Sequence, residues 1–248
     1  NKDFSCVEGV CPRLVTVHGG RLRKPRAEPD AAQRRAAAAA SQTGALPDPV
    51  LPRPQGTFSV LIGGIGGTGV VTIGQTLAIA AHLEGWYSSN LDVTGLAQKY
   101  GAVLSHVKLA RRASDLHATR IAAREADTLI GCDLIVAAGD ESMSKLAPGR
   151  SAGVVCTDLV PTGDFARNPD WQLDAGALVA RVKGALGERG LLLEGQRLAT
   201  ALMGDAIAAN MFMLGAAWQL GQVPLALASI ERAIELNGVA VEMNRQAF

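Results

Sequence analysis

Six residues, Gly64-Ile65-Gly66-Gly67-Thr68-Gly69, carry the clearest chemical signal in this chain of 248 residues. They fit G-x-G-x-x-G. They follow an apolar run over 58–62 and lead into a segment with Val70, Ile73, Leu77 and Ala81 at helical spacing. A strand, a glycine turn and a helix in that order suit phosphate binding. Glycine lets the turn bend tightly and lets a ligand approach the backbone with no Cβ in the way. The helix start then presents unpaired N–H groups and a partial positive charge. By itself the pattern points to a nicotinamide or flavin dinucleotide. Asp92, 23 residues after Gly69, would then hold a ribose hydroxyl or act as an N-cap before Thr94-Gly95-Leu96, and the cap is the preferred reading. Tight strand–helix packing with no ligand would also call for such glycines.

A second signal is Cys6 and Cys11, separated by four residues, with Pro12 directly after. Cys-Pro at the end of a cysteine series is a feature of iron–sulfur ligation. A cubane cluster needs four thiolates, so two free surface thiols is the plain alternative. No His falls at a spacing that would complete a zinc site. Cys132 and Cys156 lie at the start of one expected strand and inside another, and are expected to be buried and inert. His106 is the sole candidate for a catalytic side chain, set against the commoner hydrogen-bonded structural histidine. His18, His82 and His117 show no partner pattern.

The elements that must position these residues are legible in outline. Residues 1–24 form a Cys-containing tail and 25–55 a linker, with the run Ala36 to Ala40 and then Pro47, Pro49, Pro52 and Pro54. The body spans 56–248. Strands are expected at 58–62, 87–91, 103–109, 133–138 and 153–157, and helices at 68–84 and 175–186. Gly85 would stop the first helix. Strands alternating with helices predict an α/β fold, a three-layer Rossmann-like, mostly parallel sheet with C-terminal helices. In the last third, Ile207, Met211, Leu214 and Trp218 form a stripe that reads as core. A helix entered at Pro224 runs to Asn237-Gly238, and helical character resumes beyond.

Composition narrows the function. The chain is 48% hydrophobic and 19% charged, enough for a real core. Its net charge of +1 and 4% aromatic content argue against a nucleic-acid partner. Residues 1–49 hold 8 basic and 5 acidic side chains, against 16 and 18 in the rest, too small an asymmetry to name a partner. Residues 54–83 and 206–230 contain no Asp, Glu, Lys or Arg, yet glycines break the first and Gly221-Gln222-Val223-Pro224 the second, so buried elements are expected and no membrane span. Four cysteines are too few for a disulfide scaffold and fit a reducing cytoplasm. The opening Asn1 and the absence of a breaker at Phe248 suggest a piece of a longer polypeptide.

Several segments together carry a family resemblance. The stretch from Val60 through the glycine loop to Val71 resembles the opening of the gamma part of 2-oxoacid:ferredoxin oxidoreductases. The run from Asp92 to Val107, with Gln98, Lys99, Tyr100, Gly101, Ser105 and His106, is more specific. It resembles the indolepyruvate-type, single-chain bacterial branch of that family, as does Ile234 to Glu242. Residues 1–12 are similar to the end of its ferredoxin-like region. The resemblance implies oxidative decarboxylation of an aryl 2-oxo acid to an acyl-coenzyme A. It implies thiamine diphosphate with Mg bound in other domains of the same enzyme, [4Fe–4S] clusters and ferredoxin as electron acceptor. No Gly-Asp-Gly thiamine motif occurs here, so this chain would not perform the reaction alone.

Position by position, the resemblance makes Cys6 and Cys11 cluster ligands. A further cysteine that the family carries just before this tail is absent. The resemblance makes Gly64, Gly66, Gly67, Thr68 and Gly69 the ligand-facing turn, here toward coenzyme A, whose pyrophosphate suits the same loop. Relatives often carry Gln where this chain has Thr68. It also makes Gln98, Lys99 and Ser105 candidates to face the ligand or an interface. Two alternatives stay open: an NAD(P)- or flavin-binding domain, and an interface module whose loop only packs. A homodimer is open as well.

Overall fold

The computed structural model describes Gly19 and residues 46–95, 101–159 and 173–248. Cys6, Cys11, Gln98 and Lys99 lie outside the described residues. The sheet begins with β1 (Phe58–Ile65), in which all eight residues are buried. Such a run, buried throughout rather than at alternate residues and apolar but for Ser59, marks a strand covered on both faces. Helix α1 (Val70–Leu83) follows the glycine loop and ends at Gly85, whose N–H bonds the His82 carbonyl at φ +73°. Strands β2 (Tyr87–Thr94) and β3 (Ala102–Ala110) come next, then β4 (Thr128–Gly131) and the short helices α2 (Leu134–Ala138) and α3 (Asp140–Lys145). Strand β5 (Ala152–Cys156), helix α4 (Ala175–Leu186), strand β6 (Gly190–Leu193) and helix α5 (Gly195–Met203) complete the middle. Helices α6 (Ala209–Gln219), α7 (Leu227–Asn237) and α8 (Val241–Ala247) close the chain.

The six strands are ordered β2-β3-β1-β4-β5-β6. Strands β1, β4, β5 and β6 are parallel, and β3 runs antiparallel to both β1 and β2. The expected α/β, three-layer, mostly parallel sheet is therefore present. One core lies under α1, α6, α7 and α8, and the second under α2 and α4. Ser105 and Asn90 meet Gly74 of α1 so closely that a Cβ there would sit 2.5 Å from the Ser105 hydroxyl. Residues at the end of the expected linker rest on the body: the Gln219 amide donates to the Pro47 carbonyl at 2.8 Å. No helix among the described residues is long and apolar enough to cross a membrane.

Four elements differ from expectation, the first being helix α7, which begins at Leu227 and leaves Pro224 outside it. Residues 133–138, expected as a strand, form an N-cap and helix: Asp133 Oδ1 accepts from the Val136 N–H at 2.9 Å. The strand lies just before, at Thr128–Gly131. A short apolar run has no period to separate strand from helix, and here the capping carboxylate decides. Asp92 is not an N-cap but the sixth residue of β2, opposite Ser105. Ile207 leaves the expected core stripe at 50% exposure, because it lies in a 3-10 turn, Ala206–Ala208, that Asp205 caps by accepting from its N–H, ahead of α6. Strand β6 and helix α5 have no counterpart in the sequence reading.

Candidate functional site

The glycine loop leaves the C-terminal end of β1 where the sheet changes direction of winding. Helix α1 returns along one face toward β2, whereas α2 and α3 follow β4 onto the other. Ligands of open α/β sheets bind at such a switch point. Each glycine of the loop has its own reason. A Cβ at Gly64 would meet Val70 Cγ2 at 2.7 Å and Cys132 Cβ at 3.0 Å, so Gly64 allows β1, β4 and α1 to close. Gly67 and Gly69 hold φ of +85° and +108°, the left-handed region. A Cβ on Gly67 would meet nothing within 4 Å. Gly66 donates its N–H to the Gly101 carbonyl at 2.8 Å, which ties the loop to the start of β3.

Two adjoining hollows flank the loop, of about 270 and 230 Å³. Both are bounded by Gly67, Thr68, Ile207 and Asn210. Asn210, 6% exposed, reaches from α6 and donates to the Thr68 carbonyl at 2.9 Å and to its hydroxyl at 3.2 Å. The Thr68 hydroxyl in turn donates to the Ile65 carbonyl at 2.7 Å. Its proton thus holds the turn together, and what Thr68 offers a ligand is its place in the backbone.

Helix starts around the cleft differ in what they offer. At α5, the Asp158 carboxylate accepts from the Gln196 N–H at 2.8 Å, which neutralises that end. Helix α1 has Gly69 at its N-cap and no side-chain cap. Its first intrahelical bond is Ile73 N–H to the Gly69 carbonyl, so the N–H groups of Val70, Val71 and Thr72 precede the ladder. Among the described residues the N–H groups of Gly67 and Gly69 also have no acceptor. The positive end of α1 is therefore open to an anion.

Ser105 and His106 stand outside this cleft. The Ser105 hydroxyl donates to Asn90 Oδ1 at 3.0 Å, beneath α1. His106 is fully buried on the other face of β3, opposite Leu61, about 13 Å along β1 from Ile65. Its Nδ1 accepts from the Ile121 N–H at 3.3 Å, which pins the segment after β3 to the sheet. Burial, helped by the charges of Arg120 and Lys145, lowers its pKa to about 4 against the opposing pull of Glu141 and Asp92. A neutral, solvent-free ring there holds structure.

Asn210 is the site residue that sequence reasoning missed. Its signal was an amide inside an uncharged apolar stretch, where burial demands a hydrogen-bond partner. Cys132 borders the first hollow. Burial raises its thiol pKa strongly, and that of Cys156 to about 11. At pH 8 about one Cys156 in a thousand would be thiolate. Iodoacetamide at pH 8, followed by peptide mapping, is therefore expected to leave both residues unmodified in the folded chain and to label them after unfolding. Rapid labelling of native Cys132 would contradict this. Among the described residues, no three His, Cys, Asp or Glu side chains are placed to share a metal ion.

Comparison with known proteins adds to this geometry. A profile of the family described as "Pyruvate ferredoxin/flavodoxin oxidoreductase" matches residues 59–248. The chain is 23% identical over 201 residues to the indolepyruvate oxidoreductase subunit IorB of Pyrococcus horikoshii, a match covering 77% of this chain and 92% of that one. Its fold is similar to the pyruvate oxidoreductase subunit PORC of Thermotoga maritima, with a TM-score of 0.54 and 18% identity over 78% of this chain and 93% of that one. It is also similar to part of the 2-oxoglutarate:ferredoxin oxidoreductase of Magnetococcus marinus, a structure with 2-oxoglutarate, coenzyme A and succinyl-CoA bound. There the TM-score is 0.54 at 16% identity, over 79% of this chain and 30% of that one. At such identities the structural matches speak for the fold.

Proposed function

The chain belongs to the pyruvate ferredoxin/flavodoxin oxidoreductase family, and from that premise we propose that residues 56–248 are the gamma-type domain of an indolepyruvate-type 2-oxoacid:ferredoxin oxidoreductase, binding coenzyme A at the 64–69 loop. The observation that carries this reading is the uncapped start of α1 behind two left-handed glycines, bordered by a cleft on either side of Asn210. The Gly67, Gly69 and Val70 N–H groups would hold the pyrophosphate, and Ile207 and Met211 would border the pantetheine arm. Asn210 would keep the loop in its binding shape through Thr68. The relative described with coenzyme A bound gives the same ligand class.

The decarboxylation would belong to thiamine diphosphate and Mg held by other domains. Cys6 and Cys11 would supply two thiolates of a [4Fe–4S] site that passes electrons to ferredoxin, with the remaining ligands coming from elsewhere in the enzyme. Cys132 and Cys156 are buried in the sheet and are not available to it. The dinucleotide alternative is weakened by strand order. In the dinucleotide fold the acid that binds ribose ends the strand beside β1. Here β3 intervenes, so Asp92 lies two strand spacings away, about 10 Å.

Calorimetric titration of the 248-residue chain with coenzyme A, with NADH as control, tests the reading. Saturable binding of coenzyme A with NADH silent is expected. Asn210→Asp would set a carboxylate against the Thr68 carbonyl and weaken coenzyme A binding at least about tenfold, or about 1.4 kcal/mol. Binding of NADH, or coenzyme A affinity indifferent to Asn210→Asp, would sink the assignment.

A further inference from the structure

A second polar hollow, of about 410 Å³, opens at the other end of β1, bordered by Ser59, Lys108, His117, Arg120, Glu125 and Arg150. Ser59 pairs with Lys108 across β1 and β3 and lies six residues before Ile65, so this hollow is about 20 Å from the glycine cleft along the strand. Side chains of β3 alternate between faces. Val103, Val107 and Leu109 join the core under α1, whereas Leu104 joins the opposite core, and Lys108 projects on the same side as Leu104.

Lys108 is only 7% exposed. The covered part is its aliphatic stem, while its ammonium reaches the hollow that Lys108 lines. Three nearby acids are engaged with other cations. Asp115 pairs with Arg112 at 3.1 Å and Asp127 with Arg150 at 2.9 Å. Glu141 pairs with Arg120 at 2.9 Å and with Lys145 at 3.1 Å. Glu125 is exposed at the rim. Among the described residues Lys108 has neither an ion pair nor a hydrogen bond. The Ser59 hydroxyl beside it also has no acceptor there, since only the Ser59 N–H is engaged, with Asp127 at 2.8 Å.

We propose that this hollow is an anion site for a small molecule bearing a phosphate or carboxylate group. The Lys108 ammonium supplies the charge and the Ser59 hydroxyl donates to the anion, while the Arg120 and Arg150 guanidiniums stand at the rim in their ion pairs with Glu141 and Asp127. Its volume falls in the range of small-molecule sites. An ammonium that meets solvent inside a hollow suits a compact oxyanion rather than a flat protein surface.

The test is acetylation of the folded 248-residue chain with acetic anhydride, mapped by mass spectrometry, with inorganic phosphate or succinate as competing anion. At a phosphate concentration ten times its dissociation constant, acetylation of Lys108 is expected to slow about tenfold, with exposed Lys183 unaffected. Phosphate should also raise the melting temperature. Lys108→Met should remove that rise while leaving the heat of coenzyme A binding unchanged, and Lys108→Arg should retain it. If Lys108 proves too slow to acetylate, the melting shift and its loss in Lys108→Met decide. Equal acetylation with and without both anions up to tens of millimolar, or a melting shift that survives in Lys108→Met, overturns the proposal. Protection that appears only when other subunits of the enzyme are added overturns it too, because an acidic side chain of a neighbour then fills the hollow.

Discussion

Gly64→Val is expected to destabilise the chain by about 3 kcal/mol, the upper part of the range for overpacking a close contact. The melting temperature should fall by about 10 °C for a domain of this size. The reason lies in the two atoms that the new side chain meets. Val70 Cγ2, at 2.7 Å from a Cβ, belongs to a β-branched residue with little rotamer freedom. Cys132 Cβ, at 3.0 Å, is one bond from the backbone. Neither can swing aside, so the first turn of α1 must lift off β1 and β4. The cleft that this turn borders would move with it, and coenzyme A binding should be lost together with stability. Gly67→Ala makes the contrast. Its Cβ meets nothing within 4 Å, and only the φ of +85° is penalised, at about 1–2 kcal/mol. Thermal denaturation and calorimetry on the two variants separate packing from conformation. A Gly64→Val chain within 0.5 kcal/mol of the parent would show that the loop does not depend on this contact.

Acid should weaken the fold through His106, well above the range in which most carboxylates titrate. Its folded pKa is about 4, against an ordinary value of 6.5. Between those values the unfolded chain binds a proton that the folded chain refuses, so stability rises with pH across the window. The contribution is fully present above about pH 6.5 and is lost as pH falls to about 4. It amounts to about 3 kcal/mol. The groups that face the ring are Arg120 and Lys145, which add to the depression, and Glu141 and Asp92, which oppose it. Glu141 has its own lowered pKa, chiefly from its hydrogen bond with Arg120, and its contribution is lost from the ordinary carboxylate value downward, as pH falls through the lowered one. His106→Asn isolates the histidine, because Asn Oδ1 can accept from the Ile121 N–H in place of Nδ1. Urea denaturation at intervals from pH 7 to pH 4 should show the slope in the parent and a flatter profile in His106→Asn. Parallel profiles would remove His106 as the source.

Much of the scaffold was legible because its causes are local. The buried run of β1, the helical spacing of Val70, Ile73 and Leu77, the stop at Gly85 and helix α4 follow from period and capping within a dozen residues. Helix α7 ends at Gly238 as its Asn-Gly pair indicates. Where the local signal was degenerate the reading slipped. Leu134 to Ala138 suits a strand or a buried helix equally, and a single hydrogen bond to Asp133 settled it. Strand β6 has four residues, none of them fully buried, too few to display a period.

The sequence by itself determined that a glycine turn joins a buried strand to a buried helix, and that this turn suits a phosphate. Only the tertiary structure decided what surrounds it. The insertion of β3 between β1 and β2 moved Asp92 away from the loop, and no local pattern encodes which strand lies beside which. Asn210 meets Thr68 across 142 residues of chain. Lys108 acquires its meaning from three acids, Asp115, Asp127 and Glu141, that pair elsewhere. Spacing along a chain governs contacts within a few residues, through helix and strand periods. Contacts between distant residues depend on how whole elements pack, and that free energy belongs to no single segment.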